Sequence, residues 1–163
     1  MWLQVEQPIG FASTLLERRV FLFQNSVIDQ SSIQAYLETN YHVNGATPLT
    51  LNIGVANAGL AALHKTYSVE SSAYVTACNP YSQALDVSAN DARQTVLAGE
   101  LQHRTLSYIE GIGQHPRNGW MGEPSFLVLG LSREAANALG NRHEQNAIVW
   151  CDHDAKPELV LLR

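Results

Sequence analysis

The side chains best suited to binding or catalysis lie in four short polar segments of the sequence. Glu123 is the candidate general base, because it is the carboxylate in these segments that stands next to a predicted strand start. Arg93 is the candidate anion holder, together with backbone amides at a helix start. Amide side chains offer both donors and acceptors, which suits recognition of a planar polar ligand. The candidate ligand-binding residues are Asn79, Asn90, Arg93, Ser125, Gln145 and Asn146.

These residues also have purely structural interpretations, which the sequence leaves open. Asn79 precedes a proline, as turn formers do, and Asn90 suits helix capping. Glu123 suits an ion pair with Arg93 or Arg117. Gln145 and Asn146 could likewise close the helix before them and fix a loop. The loop before Glu123 adds two candidate cations, His115 and Arg117. Trp120 of the same loop and Tyr81 of segment 79–82 are candidates for an aromatic wall.

A metal site and a nucleophilic thiol are weaker candidates. Neighbouring residues of an extended strand point to opposite faces, so in the run Cys151 to Asp154 only alternate side chains could share a side. We interpret that run as a solvated turn and predict no metal. Cys78 lies in an apolar run, which raises rather than lowers a thiol pKa. The sequence also lacks a Gly-x-Ser-x-Gly elbow and a glycine-rich phosphate-binding pattern. We therefore predict no cofactor.

Length and composition bound the class of protein. The chain has 163 residues and a formal net charge of −5, from 10 Lys and Arg against 15 Asp and Glu, and 45% of its residues are hydrophobic. This composition fits one domain with a real core and disfavours binding to nucleic acid phosphates. Its apolar runs fall short of the roughly 20 residues that span a bilayer, and its start lacks the pattern of a signal peptide. Two cysteines in apolar runs suit reduced thiols. We expect a cytoplasmic protein without nucleic acid or membrane partners.

The hydrophobic pattern predicts an α+β domain over residues 29–163, preceded by an N-terminal extension, residues 1–28, packed on it. Helices are predicted at 31–39, 58–64, 88–104 and 132–141. Strands are predicted at 49–53, 73–78, 106–112, 125–129, 147–151 and 158–162. From residue 73 onward the βαββαβ order is that of a ferredoxin-like half with an extra strand. We expect a single mixed β-sheet with helices packed mainly on one face.

Chain direction predicts that the polar segments meet at one rim of this sheet. A helix that follows strand 73–78 starts at the end of the sheet where that strand finishes, and the next strand finishes there too. An antiparallel strand 125–129 then starts at the same end, and the chain returns there before residue 147. The segments expected at this rim are 79–82, 88–93, 111–125 and 145–146.

Four pieces of the sequence share their order and spacing with a known family. They are residues 74–80 (Tyr-Val-Thr-Ala-Cys-Asn-Pro), Asn90 with Arg93 and Leu97, residues 123–126 (Glu-Pro-Ser-Phe) and residues 145–150. On these pieces the chain resembles an uncharacterised bacterial family, Domain of Unknown Function 3293, over residues 36–163. The resemblance implies one compact domain and marks the same polar positions, but it implies no activity. The family tends to have an aromatic residue where this chain has Cys78, which argues against a thiol mechanism.

The sequence thus predicts a domain that binds a small polar or anionic ligand at the rim. A metal-independent hydrolase or transferase is one form that this function could take, and the residues do not decide whether catalysis occurs. The alternative is a protein–protein interaction module in which the polar groups only brace loops. A protein partner would then contact Tyr36, Tyr41, Trp120 or the N-terminal segment. A protein partner or a second copy in a homodimer could also contact the terminal strand 158–162.

Overall fold

In the computed structural model, which describes residues 26–163, seven strands form one curled sheet and four helices pack against it. The α+β class is as predicted. Of the predicted N-terminal extension, residues 1–25 lie outside the described residues. The strands are β1 Asn40–Val43, β2 Leu49–Leu51, β3 Ser72–Val75, β4 Tyr108–Gln114, β5 Glu123–Leu129, β6 Ala147–Cys151 and β7 Pro157–Leu161. The helices are α1 Gln30–Glu38, α2 Ala58–Thr66, α3 Val87–His103 and α4 Arg133–Arg142, with a short 3₁₀ helix at Pro80–Ser82.

The sheet is antiparallel throughout, so the expectation of a mixed sheet is wrong. Its strand order is β2-β1-β4-β5-β3-β6-β7, and each pair of neighbours is antiparallel. Strands β3 and β4 run in the same direction, as the crossover helix α3 between them requires. Strand β5 lies between these two strands and pairs antiparallel with both of them. The two parallel strands are therefore never hydrogen-bonded to each other.

Helices cover both faces of the sheet, rather than mainly one face as predicted. Leu97 of α3 and Leu139 of α4 belong to the core on one face, whereas Leu60 of α2 lies in the core on the other face, with Leu37 of α1 beside it. The reason is visible in β3, which is buried at all four positions. Because side chains alternate along a strand, a strand buried at every position needs cover on both sides.

Side-chain caps define where the helices begin. The carboxylate of Asp29 accepts a hydrogen bond from the Ser32 amide at the start of α1, and that of Asp86 accepts one from the Ala89 amide at the start of α3. These caps lie two residues before the serines that begin the predicted segments 31–39 and 88–104, whereas Ser132, the first residue of the predicted segment 132–141, does cap α4. Among residues 26–163, no helix combines the length and the apolar character needed to cross a membrane.

A buried histidine makes the stability of this fold depend on pH. His64 of α2 is 5% exposed, its Nε2 lies 2.8 Å from Ser72 Oγ, and its Nδ1 has no hydrogen-bond partner in the described part of the chain. Burial lowers the pKa of His64 below its ordinary value of 6.5. Below that pH the unfolded chain takes up a proton that the folded chain resists. Stability is therefore lost as the pH falls through 6.5.

We expect the free energy of unfolding to decrease between about pH 7 and about pH 5, and to decrease less in His64→Gln. Glutamine keeps a polar group for Ser72 but does not titrate. Urea denaturation at the two pH values measures the effect. His103→Gln, at an exposed histidine, is the matched control and keeps the wild-type dependence. Identical pH dependence in the wild type and His64→Gln would contradict this account.

Candidate functional site

Five of the seven predicted site residues line one cavity of about 560 Å³. The cavity lies on the face of the sheet that carries α1. Its apolar floor includes Tyr41, Tyr74 and Val149, which belong to the core on that face. Helix α1 and the loop between β4 and β5 form its sides. The predicted residues that line the cavity are Asn79, Glu123, Ser125, Gln145 and Asn146.

Glu123, the first residue of β5, presents a largely buried carboxyl group to this cavity. Its Oε1 accepts hydrogen bonds from Asn79 Nδ2 at 2.6 Å and from Trp120 Nε1 at 3.0 Å. Within residues 26–163, its Oε2 accepts no hydrogen bond and its carboxylate forms no ion pair. Burial raises the pKa of Glu123, and the two hydrogen bonds oppose that shift. One carboxyl oxygen is therefore held by the protein, and the other has no hydrogen-bond partner among the described residues.

Asn79 joins the ends of three elements and positions Glu123. Its φ of 45° lies in the left-handed region, which asparagine tolerates better than most residues. Its backbone amide donates to Asn90 Oδ1, and its own Oδ1 accepts from the Leu85 amide and from Asn90 Nδ2. Because the Leu85 amide can only donate, the Asn79 side chain has a single orientation, with Nδ2 toward Glu123. Asn90 thus supports Asn79 from α3 and does not itself line the cavity.

Arg93 of α3 does not line the cavity. Its Nε donates to the carbonyl of Ala77 at 2.7 Å, and its Nη2 donates to the carbonyl of His143 at 2.9 Å and lies 3.1 Å from Glu144. The guanidinium therefore ties the segment after β3 to the turn before β6. These contacts use two of its nitrogens on the protein itself, away from the cavity lining.

Gln145 has an amide orientation that its neighbours fix. Its Nε2 donates to the carbonyls of Cys78 at 3.0 Å and His143 at 3.1 Å. Because carbonyl oxygens only accept, the amide nitrogen must face them. The side chain is 7% exposed and lines the cavity, and its Oε1 has no hydrogen bond within the described chain. The cavity wall therefore carries a second unused acceptor.

The side chains of Tyr36, Ser82 and Asn146 connect α1 to the rim. Tyr36 Oη and Ser82 Oγ lie 2.5 Å apart, and Asn146 Nδ2 is 3.2 Å from each of them. Ser82 belongs to the predicted rim segment 79–82, whereas Tyr36 is not among the predicted ligand-binding residues, since only the packing of α1 on the sheet brings Tyr36 to Asn146. The predicted aromatic contact Tyr81 does not line the cavity; instead Arg163 lies over its ring, 4.3 Å from the ring centroid.

The loop after β4 is pinned to the end of α1. His115 Nδ1 accepts hydrogen bonds from the backbone amides of Arg117 and Asn118, so its Nε2 carries the proton and lies 3.3 Å from Glu38. Arg117 Nη2 donates to the same Glu38 oxygen at 3.1 Å. Both predicted cations of the loop therefore face a carboxylate of the protein. Trp120 lines the cavity, where it forms the expected aromatic wall.

Neither cysteine is at the surface, and the histidine of the turn after β6 is exposed. Cys78 and Cys151 are both buried, and burial raises the thiol pKa of each, to about 12 for Cys151. His153 is exposed and pairs with Asp152. In the part of the chain that the structure describes, no three His, Cys, Asp or Glu side chains come together in a group that could hold a metal ion.

We expect Arg93→Met to lower the free energy of unfolding by about 2 kcal/mol, because it leaves the carbonyls of Ala77 and His143 without a donor. Methionine keeps much of the alkyl length, so packing changes little. Urea denaturation measures the loss. Arg117→Met is the control, since the Arg117 side chain is 75% exposed and its removal should change stability little. Equal stability of the two variants would contradict the structural role of Arg93.

Part of the chain matches one known protein family. Residues 75–148 match the model of a family described as protein of unknown function (DUF3293). The matched segment runs from the end of β3 into β6 and contains all seven predicted site residues. The resemblance to this family, which the sequence pieces indicated, is therefore confirmed over residues 75–148. No curated protein and no solved structure matches the chain.

Proposed function

We propose that this chain, whose residues 75–148 match the DUF3293 family, binds a small polar ligand in the cavity between α1 and the sheet. One observation carries the proposal: five polar residues from three segments that are distant in sequence line a single cavity of about 560 Å³. That volume falls within the roughly 300–1,000 Å³ that small-molecule sites occupy. Glu123 is the residue that we expect to contact the ligand most strongly.

The proposed role of Glu123 follows from its free oxygen. Oε2 can accept a hydrogen bond from a ligand, and a carboxyl group with a raised pKa is a more effective proton acceptor near neutral pH than an ordinary one. If a reaction follows binding, Glu123 would take a proton from a ligand hydroxyl or amine. Metal-independent hydrolysis and group transfer are the reaction classes that such a base serves.

The contacts of Arg93 narrow the class of ligand. Arg93 was the predicted anion holder, but its Nε and Nη2 are engaged by backbone carbonyls. Among the described residues, no lysine or arginine lines the cavity. We therefore propose a polar ligand and give up the anionic alternative for this cavity.

Both cysteines are buried and form no disulfide, which suits a reducing compartment. We therefore propose that the protein acts in the cytoplasm.

We also propose that β3 to β6, with α3 and α4, form a ferredoxin-like unit. Support comes from their spatial order, β4-β5-β3-β6, in which every neighbouring pair is antiparallel. The buried side chains of α3 and α4 pack into one hydrophobic core, on the same face of these strands. This arrangement sets the ends of β3 and β4 and the starts of β5 and β6 at one rim.

A second candidate function, as an interaction module, has its own supporting observation. Strand β7 lies at one edge of the sheet, and its outer side is unpaired within residues 26–163. Leu159 and Leu161 of this strand are only half-buried. An exposed strand edge can accept a strand from a protein partner or from a second copy of the chain. Light scattering coupled to size exclusion tests the homodimer form of this candidate.

The ligand proposal is tested by a thermal-shift screen of small polar compounds, followed by amide NMR spectra with any compound that raises the Tm. We expect such a compound to shift signals from residues that line the cavity. Glu123→Gln should weaken its binding about tenfold, because a hydrogen bond to a charged group contributes roughly 1.5 kcal/mol or more.

Glu110→Gln is the matched control, since Glu110 is an exposed glutamate of β4 outside the cavity. This variant should bind like the wild type. Glutamine at position 123 can still accept the hydrogen bonds of Asn79 and Trp120, so the fold should persist. If folded wild-type protein shows no cavity signal shift with any compound, the ligand proposal fails.

A further inference from the structure

We propose that the ligand of this cavity carries an ammonium or guanidinium group, which binds against the Glu123 carboxylate. The inference rests on the proposed function and specifies its ligand class as small alkylamines or alkylguanidines. Three independent properties of the cavity wall support it: the hydrogen-bonding groups left unused, the balance of charge and the aromatic lining.

Each donor atom of the wall near Glu123 already has an acceptor within the protein. Asn79 Nδ2 and Trp120 Nε1 donate to Glu123 Oε1, Gln145 Nε2 donates to two backbone carbonyls, and Ser125 Oγ donates to the Glu123 carbonyl. Two acceptors in the same wall, Glu123 Oε2 and Gln145 Oε1, have no hydrogen bond within the described chain. The two unused acceptors favour a ligand that supplies donors, and ammonium and guanidinium groups carry only donors.

The charges of the cavity lead to the same class. Two carboxylates, Glu38 and Glu123, belong to its lining, and Glu38 already faces His115 and Arg117. Glu123 has no counter-charge among residues 26–163. A buried carboxylate without a cation is costly, and a cationic ligand would remove that cost on binding. An anionic ligand would instead meet a like charge at Oε2.

The remaining lining suits the alkyl part and the charge of such a ligand. Four aromatic residues belong to the cavity wall, namely Tyr36, Tyr41, Tyr74 and Trp120. The faces of tyrosine and tryptophan attract ammonium and guanidinium groups, and their rings bury alkyl chains. The formal net charge of −5 adds a weak long-range attraction for cations.

The test compares three probes with one alkyl chain: n-propylguanidine, its uncharged isostere n-propylurea and the anion n-butyrate. NMR titration of the wild type, at about 0.15 M salt to screen surface binding, follows the signals of cavity residues. We expect n-propylguanidine to bind at least about tenfold more tightly than n-propylurea, and n-butyrate to bind least. The comparison requires no variant, so it does not depend on the folding of one.

Two variants, Glu123→Gln and Glu110→Gln, then test whether the preference for the cationic probe comes from the Glu123 carboxylate. In Glu123→Gln, the preference for n-propylguanidine over n-propylurea should fall by about tenfold, whereas Glu110→Gln should keep the wild-type preference. Cavity binding of n-propylurea or n-butyrate as tightly as n-propylguanidine would overturn the cation inference and leave the proposed function standing. No cavity shift with n-propylguanidine at up to roughly 50 mM would also overturn it. The proposed function fails only if the wider screen is silent as well.

Discussion

The hydrogen bonds of Asn79 hold the described site in place. This residue follows β3, and through its side chain and backbone it contacts Asn90 of α3, the Leu85 amide before that helix, and Glu123 at the start of β5. The segment after β3, the start of α3 and the start of β5 are thereby fixed relative to each other at one rim of the sheet. Both polar atoms of the Asn79 side chain have partners in the protein, and its Nδ2 holds Glu123 in position.

Around this junction, the protein satisfies its own backbone with side chains that look functional in sequence. Arg93 and Gln145 both donate to carbonyls in the segments after β3 and before β6, where the chain leaves regular structure. A buried carbonyl without a donor would be costly, so such residues are needed whatever the protein binds. What remains for the proposed ligand is the set of groups that this network does not use, above all Oε2 of Glu123.

The meeting of the polar segments at one rim could be predicted from the order of elements, because crossover connections constrain strand direction strongly. The sequence therefore pointed to segments such as 79–82 and 145–146, which the structure brings together. It could not show that β5 lies between β3 and β4, since pairing depends on the whole sheet and not on the order of elements along the chain. Nor could it predict β1 or the approach of α1 to the rim, which rest on contacts between distant segments. The partners of Arg93 were hidden for a related reason: they are backbone carbonyls, which leave no trace in side-chain patterns.

The account as a whole depends on Glu123 being a buried carboxyl group without a protein cation beside it. Carbon-13 NMR titration of the side-chain carboxyls, with Glu123→Gln used to assign the signal, measures its pKa in the ligand-free protein. We predict a pKa above the ordinary glutamate value of 4.5, because burial outweighs the hydrogen bonds from Asn79 and Trp120. A pKa at or below 4.5 would contradict the account, because the carboxylate would then be well solvated or already paired with a positive charge.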